Sequence, residues 1–383
     1  MFILLKAGEC FAPERLGCKD VFIAGDKICK IEESIPICDF IETEVINCTG
    51  KVVCPGFIDQ HVHIAGGGGE NGPSSRVPEI MLGQIISAGV TTVVGVLGMD
   101  SITRNIAGLL AKARALDSEG LNTYIYTGSY QVPASTLTGK VNSDIANIDK
   151  VIGVGEVAIS DYRSVHPSAQ MLKELAWEAK VGAMVGGKAG VMHIHVGDGK
   201  QGILPLVEML KDSEFPMEIF VPTHLNRNLH VFGQATEYAK SGGNIDLTSG
   251  EKTGKGLSVP DAVERLLRAG VNVDRITVSS DGNGSIPSQD GNKPGVGRVM
   301  QLYEEIRQCI AHKAIPIESA LKMVTSNVAK ILGLYPAKGA LKAGSDADIL
   351  VLDRQSLAIE WLIIKGKIFI RNGNIVMKGV YEN

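Results

Sequence analysis

The chain has 383 residues, of which 44% are hydrophobic and 21% are charged. These proportions are those of an ordinary globular protein, and they exclude a largely disordered chain. The formal net charge of −4 at pH 7 gives no electrostatic reason to expect a nucleic acid or an anionic membrane as a partner.

The N-terminal stretch MFILLKAGEC lacks the basic region and cleavage site of a signal peptide, so it is interpreted as a first strand. No apolar run reaches the roughly 18 residues that a membrane span requires. Seven cysteines occur without a CxxC motif. Reduced thiols and a cytoplasmic protein are therefore expected.

Both ends of the chain are typical of short strands separated by turns. The N-terminal part contains VFIAGDKICKIEE and TEVINCTGKVVCPG, and the C-terminal part contains ADILVLD, IEWLIIKGKIFIRNG and NIVMKG. Neither end alone buries much apolar surface. We therefore expect residues 1–55 and 335–383 to form one small β-sandwich domain together.

The middle of the chain, residues 56–334, alternates between strand-like and helical patterns. The strand-like stretches lie at 56–63, 91–97, 123–128, 151–160, 190–197, 218–224, 244–249 and 275–281. This repetition predicts an α/β fold, a TIM (β/α)8 barrel. A doubly wound open sheet is the alternative, but that fold does not usually place polar residues at so many strand ends.

Polar residues at the ends of these strands indicate a metal site. His61 and His63 are two residues apart on a strand, so both imidazoles face one side and suit a zinc-type ion. The alternative is a hydrogen-bonded pair of core histidines. Three further strands end in His193 and His195, in His224 and in Asp281. Together with a carboxylate in strand four, these groups exceed what one tetrahedral zinc needs and favour two metals.

Glu156 is the carboxylate in strand four, within the apolar run VIGVGEVAIS. A charge in such a run is costly unless it is paired or bound to a metal. A bridging position between two metals satisfies this requirement. A salt bridge to Arg163 or another cation is the alternative.

The motifs PGFIDQHVHIAGGGGENGP, PTHLNRN and SSDGNGS resemble the amidohydrolase superfamily, and within it the isoaspartyl (β-aspartyl) dipeptidase family. GALKAGSDADILVLD is similar to the C-terminal strand of the small β-domain of that superfamily. The resemblance implies a metal-dependent hydrolase that cleaves the isopeptide amide bond of β-aspartyl dipeptides with a metal-bridging hydroxide. Other amidohydrolases, such as a cyclic amidase or an N-acyl-amino-acid deacylase, and a non-catalytic barrel scaffold are the alternatives.

The resemblance also implies a ligand set for two Zn²⁺ ions per chain. His61, His63 and Asp281 would hold the more buried ion, and His195 and His224 the second, with His193 in a supporting position. The family usually has a carbamylated lysine as the bridge, where this chain has Glu156. The glutamate carboxylate is about 3–4 Å shorter in reach. An inward shift is therefore expected, which Gly155 would permit.

The remaining roles are carried over from the same family. Asp281 would transfer protons and Tyr130 would donate a hydrogen bond to the oxyanion. The implied substrate-binding residues are Glu70 for the α-ammonium group, Arg163 and Arg227 for carboxylates, and Gly68, Gly69, Tyr130 and Ser285 around them. Met99 replaces a family threonine on the substrate side. A small dipeptide is the expected partner, and the resemblance implies a homo-oligomer.

Overall fold

Strands and helices alternate through the middle of the chain, and strands predominate at both ends. The computed structural model describes residues 2–37, 42–251, 255–286 and 295–382. The strands are β1 (Phe2–Phe11), β2 (Arg15–Ala24), β3 (Lys27–Glu32), β4 (Thr43–Asn47), β5 (Lys51–Pro55), β6 (Phe57–Val62), β7 (Val90–Gly95), β8 (Asn122–Thr127), β9 (Val151–Ile159), β10 (Val191–Val196), β11 (Phe220–Thr223), β12 (Ile245–Thr248), β13 (Ile276–Ser279), β14 (Ser285–Ile286), β15 (Gly295–Val296), β16 (Ile349–Asp353), β17 (Ile359–Ile364), β18 (Lys367–Arg371) and β19 (Asn374–Ile375). The helices are α1 (Leu82–Ile86), α2 (Ile106–Ser118), α3 (Val141–Asn147), α4 (Ala169–Gly186), α5 (Leu204–Lys211), α6 (Leu229–Lys240), α7 (Val259–Arg268), α8 (Met300–Lys313), α9 (Ile317–Lys322) and α10 (Ser326–Ile331).

The predicted barrel strands correspond to β6 through β13. Within the described ranges, β6 to β11 form a six-stranded parallel sheet in chain order, and β12 pairs with β13 in parallel. A parallel bridge from Val62 to Gly282 connects the residues after β13 to β6. The N–H of Leu225 donates to the carbonyl of Asp246 over 3.3 Å, which connects the β11 and β12 regions. The parallel strands therefore curl around a common interior, in the manner of the predicted TIM-barrel class.

The strands of this curled sheet are buried throughout. Every residue of β6, β7, β9 and β10 is buried, as expected for parallel strands that are covered on both faces. The helix before β7, α1, is short. Three residues after its end, Gly89 has a φ of +72° and donates its N–H to the carbonyl of Ile86, and this left-handed turn leads into β7.

Side-chain caps fix where several of the surrounding helices begin. The caps are Asn105 for α2, Ser168 for α4, Asn228 for α6 and Ser258 for α7, each of which accepts a backbone N–H of the first helical turn. Because each cap follows a loop that leaves the carboxyl end of a strand, it holds that loop in place. Several of the loops around the carboxyl ends of the strands are thus held in fixed positions.

The two chain termini meet in one mixed sheet, as the sequence analysis expected. In the described residues this sheet has nine strands, and β5 pairs with β16 antiparallel, with Val53 opposite Val351. One face buries residues such as Ile3 and Ile363 in a core of its own. Phe369 on the other face joins the core of the barrel. Closure of this sheet into a sandwich stays a prediction.

No helix in the described part of the chain is long and apolar enough to span a membrane. The cysteines within the described ranges, Cys10, Cys18, Cys29, Cys48, Cys54 and Cys309, are all free thiols. Cys38 lies outside those ranges. The described cysteines therefore form no disulfide bond with one another.

Candidate active site

A cavity of about 1050 Å³ lies at the carboxyl ends of the parallel strands. This is the end of a TIM barrel at which active sites are built. Most of the candidate site residues from the sequence line it, namely His63, Gly68, Glu70, Tyr130, Glu156, Arg163, His195, His224, Arg227, Asp281 and Ser285. His61 is fully buried behind this lining, and Gly69 lies beside it in the glycine loop. The fold therefore brings the predicted residues into one place.

Imidazoles at the carboxyl ends of β6, β10 and β11 surround Glu156. On one side, His61 Nε2 lies 3.5 Å from Glu156 Oε2 and His63 Nε2 lies 3.6 Å from Oε1. On the other side, His195 Nδ1 and His224 Nε2 lie 3.1 Å and 3.6 Å from Oε2. One carboxylate is thus shared between two pairs of histidines.

The donor atoms are spaced as ligands of a metal ion. Two groups could each hold one ion: His61, His63 and Glu156, and Glu156, His195 and His224. Zinc–nitrogen distances of about 2.0–2.1 Å in a tetrahedral site place neighbouring ligand atoms about 3.3 Å apart. The separations of 3.1–3.6 Å around Glu156 match this value. The arrangement is therefore able to hold a metal ion.

Unsatisfied polar atoms support the same conclusion. Among the described residues, His61 Nε2, Glu156 Oε1 and Asp281 Oδ1 are buried without a hydrogen-bond partner. A buried polar atom without a partner costs about 1–3 kcal/mol. These three atoms converge on one point, since His61 Nε2 also lies 3.5 Å from Asp281 Oδ1. A cation bound there would remove this cost at all three atoms.

The electrostatics of the cluster favour a positive charge. Burial opposes the ionisation of Glu156, but the surrounding His61, His195 and His224 hold the pKa of its carboxyl well below the usual range. Burial likewise lowers the pKa of His61, but Glu156 and Asp281 raise it to about 9. A proton on His61 therefore occupies the position where a metal cation would neutralise the same carboxylates.

A bulge in β9 directs Glu156 into the cluster. In the pairing of β9 with β10, Val154 is opposite Met192, but Val157 is opposite Ile194, so β9 has one extra residue there. Such bulges re-aim side chains. A Cβ on Gly155 would come within 2.7 Å of the Cβ of His193. Glycine is thus required for the close approach, and the alternative salt bridge from Glu156 to Arg163 is not formed, because Arg163 pairs with Asp161 and Glu70.

Asp281 follows β13 in a left-handed conformation, with a φ of +50°. This conformation turns its carboxylate toward His63, whose Nε2 lies 3.1 Å from Asp281 Oδ1. Burial alone would raise the pKa of Asp281, but the imidazoles of His63 and His61 hold it well below the usual range. The carboxylate is therefore ionised and able to accept a proton or bind a cation.

His193 lies beneath the cluster, as the sequence analysis expected. Its Nε2 is 2.8 Å from His61 Nδ1, and its ring stacks on Tyr126 with a centroid distance of 5.2 Å. Burial holds the pKa of His193 well below its usual value. A neutral His193 can therefore fix the ring of His61 through one hydrogen bond.

Tyr130 lies at the edge of the second histidine pair. Its hydroxyl is 2.8 Å from His195 Nδ1, the atom that also faces Glu156. Burial raises the pKa of Tyr130 well above its usual value. The phenol therefore keeps its proton and is available as a hydrogen-bond donor at this position.

Charged residues from three loops meet at one wall of the cavity. Arg163 Nη1 donates to Glu70 Oε1 over 3.3 Å, and the Ser285 hydroxyl donates to the same oxygen over 2.7 Å. The guanidinium of Arg163 also lies over the ring of Tyr130, 5.2 Å from its centroid. The glycine loop, the loop after β9 and β14 are thereby joined by polar contacts.

The opposite wall carries a second arginine. Arg227 Nη2 donates to Glu251 Oε1 over 3.2 Å, and its Nη1 donates to the carbonyl of Val196 over 3.1 Å. Glu251 Oε1 also lies 3.7 Å from His224 Nδ1. Burial raises the pKa of Glu251. A carboxylate ligand in the cavity would thus find one guanidinium on each wall.

The glycine loop requires glycine for its shape. Gly68 has a φ of +74°, and a Cβ there would lie 2.3 Å from the carbonyl oxygen of Ser75. Arg104 donates from Nη2 to the carbonyls of Gly67 and Val77 over 3.0 and 3.1 Å. The loop is thus held from outside, with Glu70 at the cavity.

Sequence reasoning missed three residues of the site: Asp161, Thr248 and Glu251. Asp161 Oδ2 lies 3.0 Å from His195 Nε2, and Thr248 Oγ1 lies 2.9 Å from His224 Nδ1. Both follow or end a predicted strand, so the rule that found the histidines applies to them too. Glu251 lies in a loop, where no such signal exists.

Known proteins share this architecture. An amidohydrolase family model matches residues 52–377. The crystal structure of β-aspartyl dipeptidase from Fervidobacterium islandicum AW-1, in complex with the β-Asp-Leu dipeptide, superimposes with a TM-score of 0.91 at 42% identity, over 98% of both chains. A dihydropyrimidinase from Brevibacillus agri matches at 16% identity over 99% of this chain and 97% of that one, with a TM-score of 0.67, and thus shares the fold.

Some curated sequences agree over a shorter stretch. A dihydroorotase of Streptococcus pyogenes serotype M1 is 30% identical over 176 residues, which are 45% of this chain and 38% of that protein. The aligned segment thus spans well under half the length of this relative. The family model, in contrast, extends over most of the chain. The resemblance seen in the sequence motifs is confirmed, and this chain belongs to the amidohydrolase family.

Proposed function

We propose that this protein is a metal-dependent dipeptidase that hydrolyses the isopeptide amide bond of β-aspartyl dipeptides. One observation carries the proposal: a carboxylate shared by two histidine pairs lies in the same cavity as two arginines and a glutamate. The first group suits hydrolysis, and the second suits a small ligand with two carboxylates and one ammonium group. The similarity to the β-aspartyl dipeptidase of Fervidobacterium islandicum supports this assignment.

The cofactor of the proposed reaction is a pair of Zn²⁺ ions. His61, His63 and Asp281 would hold one ion, His195 and His224 the other, and Glu156 would bridge them in place of a carbamylated lysine. Bound divalent ions polarise a carbonyl and lower the pKa of water to about 7. The shared position of Glu156 between the two ligand groups supports two ions rather than one.

Asp281 and Tyr130 would act on the reacting amide. Asp281 accepts the proton of the attacking water and delivers it to the leaving amine, which its ionised state allows. The Tyr130 hydroxyl donates a hydrogen bond to the oxygen that gains charge. The buried position of Tyr130, with 5% of its surface exposed, excludes water from this bond and strengthens it.

Substrate charges would replace the ion pair between Arg163 and Glu70. In the structure these two side chains neutralise each other at 3.3 Å. A ligand that carries both an ammonium and a carboxylate group offers each of them a new partner of opposite sign. Gly68, Gly69 and Ser285 border the ammonium position, and Arg227 meets the second carboxylate. After this exchange the charges of Arg163 and Glu70 would each still have a partner of opposite sign.

We further propose the organisation implied by the sequence. Residues 1–55 and 335–383 would form the small β-sandwich domain and residues 56–334 the catalytic (β/α)8 barrel of a cytoplasmic homo-oligomer. The joint sheet of the two termini supports the first part of this proposal. Proteolysis and sedimentation of the purified protein would test the division and the assembly.

The deciding experiment measures leucine release from β-Asp-Leu by zinc-loaded protein prepared without bicarbonate. Release from β-Asp-Leu, with no release from α-Asp-Leu, supports the proposal and shows that Glu156 suffices without a carbamate. Arg163→Met tests the proposed carboxylate-binding role of Arg163, and the KM of this variant for β-Asp-Leu should rise. Hydrolysis of hydantoin or N-acetyl-leucine instead of β-Asp-Leu would overturn the dipeptidase assignment in favour of another amidohydrolase.

A further inference from the structure

Asp161 lies between His195, a member of the second histidine pair, and Arg163, a candidate substrate-binding residue. Its Oδ2 is 3.0 Å from His195 Nε2 and accepts a hydrogen bond from Arg163 Nη2 over 2.8 Å. Its Oδ1 accepts hydrogen bonds from the backbone N–H and the Nε of Arg163, over 2.8 and 2.9 Å. One buried carboxylate thus holds a candidate metal ligand and a candidate substrate-binding residue.

The two nitrogens of His195 face different partners. Nδ1 points to Glu156 Oε2 at 3.1 Å, on the side of the proposed metals. Nε2 points to Asp161 Oδ2, with Arg227 Nη1 at 3.3 Å. An ionised carboxylate only accepts hydrogen bonds and a guanidinium only donates them. At Nε2, Asp161 and Arg227 therefore favour opposite tautomers of the same ring. At Nδ1, the ionised Glu156 favours a proton as long as no cation lies between the two atoms.

With a cation between Glu156 and His195 Nδ1, the remaining contacts at Nε2 favour the tautomer set by Asp161. Arg227 has other acceptors in the carbonyl of Val196 and the carboxylate of Glu251, at 3.1 and 3.2 Å. The contact from Asp161 to His195 is shorter than the contact from Arg227. With its proton on Nε2, His195 would present the lone pair of Nδ1, which faces Glu156 and the Tyr130 hydroxyl in the structure, to the second metal position. Carboxylate–histidine–metal arrangements of this kind orient the ring and raise its basicity.

The backbone around Asp161 leaves little space for another arrangement. A Cβ on Gly197, two residues after His195, would lie 2.5 Å from the Ser160 carbonyl oxygen and 2.6 Å from the Cβ of Asp161. A Cβ on Gly199 would lie 2.4 Å from the same carbonyl. The segment that follows β10 therefore packs directly on Asp161, and the glycines make this contact possible.

We propose that Asp161 is a positioning residue that couples metal binding to substrate binding. Through one oxygen it fixes His195 with Nδ1 directed at the second metal position. Through both oxygens it holds Arg163 beside Glu70 at one wall of the cavity. This inference rests on the proposed function for its substrate half and on the donor geometry alone for its metal half.

The test is a zinc titration of the apoprotein of Asp161→Asn in competition with a chelator. The affinity of the second zinc should fall by about 10–100-fold, the usual cost of removing such a partner, while the affinity of the first zinc is unchanged. Asp198→Asn is the matched control. Asp198 follows β10 and its Oδ1 accepts a hydrogen bond from Asn228 Nδ2 over 3.0 Å. Both zinc affinities of this variant should equal those of the wild type. Wild-type affinity of both sites in Asp161→Asn would overturn the proposal.

Arg163→Met provides a second, independent measurement in which residue 161 is still an aspartate. Loss of the guanidinium frees Asp161 to move, so the affinity of the second zinc should fall in this variant too, by a smaller factor. Unchanged zinc affinity in Arg163→Met would overturn the coupling. If Asp161→Asn does not fold, the zinc affinity of Arg163→Met still tests the coupling. Failure of the wild type to cleave β-Asp-Leu would contradict the proposed substrate but would leave both zinc measurements interpretable.

Discussion

The mouth of the barrel, which is the cavity at the carboxyl ends of the parallel strands, differs from the sheet formed by the two termini in how its buried polar groups are satisfied. At the mouth, buried polar atoms lack partners, and His224 and Asp281 adopt left-handed conformations with φ of +62° and +50°. In the described part of the terminal sheet, no buried side-chain nitrogen or oxygen lacks a hydrogen bond. The sheet instead buries aliphatic residues on both of its faces.

This difference separates the residues that act from the residues that stabilise. Unpaired buried polar groups and left-handed strand ends cost free energy, and they persist where the surrounding structure holds them. The terminal sheet packs against the barrel through residues such as Phe369, which contributes to the barrel core. Substitutions at the mouth should therefore change activity, and substitutions in the sheet should change stability.

The largest effect is expected for Glu156→Gln at the mouth. An amide has one acceptor oxygen and no charge, so it cannot bridge two ions. A metal contributes several kcal/mol to transition-state stabilisation, so kcat/KM for β-Asp-Leu should fall at least about 10⁴-fold. Zinc content per chain, measured by elemental analysis, should fall in parallel. A variant that retains two zinc ions and a tenth of the activity would contradict the bridging role.

Phe369→Ala tests the other region. Phe369 is fully buried in β18, and its ring tip would lie 2.7 Å from a Cβ placed on Gly120. Removal of a buried phenylalanine side chain costs about 3–5 kcal/mol. The free energy of unfolding in urea should fall by this amount, while kcat/KM at 25 °C stays within about twofold of the wild type. A comparable loss in kcat/KM of the folded variant would break the separation between the two regions.

Tyr130→Phe removes one hydrogen-bond donor at the mouth and leaves the packing almost unchanged. Removal of one oxyanion donor lowers kcat by about 10²–10³-fold, or roughly 2.7–4 kcal/mol. Zinc content should equal that of the wild type, because the ring still fills its place. Steady-state kinetics with β-Asp-Leu would check this. A change confined to KM would instead assign Tyr130 to substrate binding.

Much of the mouth could be predicted because its signals are local. His61 and His63 face one side by the two-residue period of a strand. His195, His224 and Asp281 lie at or just beyond the carboxyl ends of strands. Parallel strands bring their carboxyl ends together, so these residues had to meet once the barrel class was recognised. The pairing of the two termini followed from the small apolar surface of each end.

Other features depend on distances that a sequence does not contain. The extra residue of β9 at Gly155 and Glu156 becomes visible only in the register with β10. The pairing of Arg227 with Glu251 joins segments 24 residues apart, and a loop gives no periodicity to predict it. The contact of Asp161 with both His195 and Arg163 likewise depends on how two loops pack.

The smallest effect, a pH dependence, concerns the ion pairs that hold the terminal region. Lys338 Nζ lies 2.8 Å from Asp346 Oδ2 and 2.7 Å from Asp348 Oδ2. Burial opposes the ionisation of Asp346, but Lys338 and Lys27 lower its pKa below the ordinary value of 3.8. The unfolded chain therefore binds more protons than the folded chain near that pH. This contribution is present above about pH 4 and is lost as the pH falls further.

Asp346→Asn should consequently reduce the acid dependence of the unfolding free energy, with a loss of about 1 kcal/mol or less at pH 7 because the pair is partly exposed. Urea unfolding of wild type and variant between pH 3 and pH 7 would measure the difference. Asp26→Asn, a neighbouring exposed aspartate, is the matched control and should follow the wild-type curve. If Asp346→Asn follows that curve as well, the ion pairs of Asp346 make no contribution to the acid sensitivity of the protein.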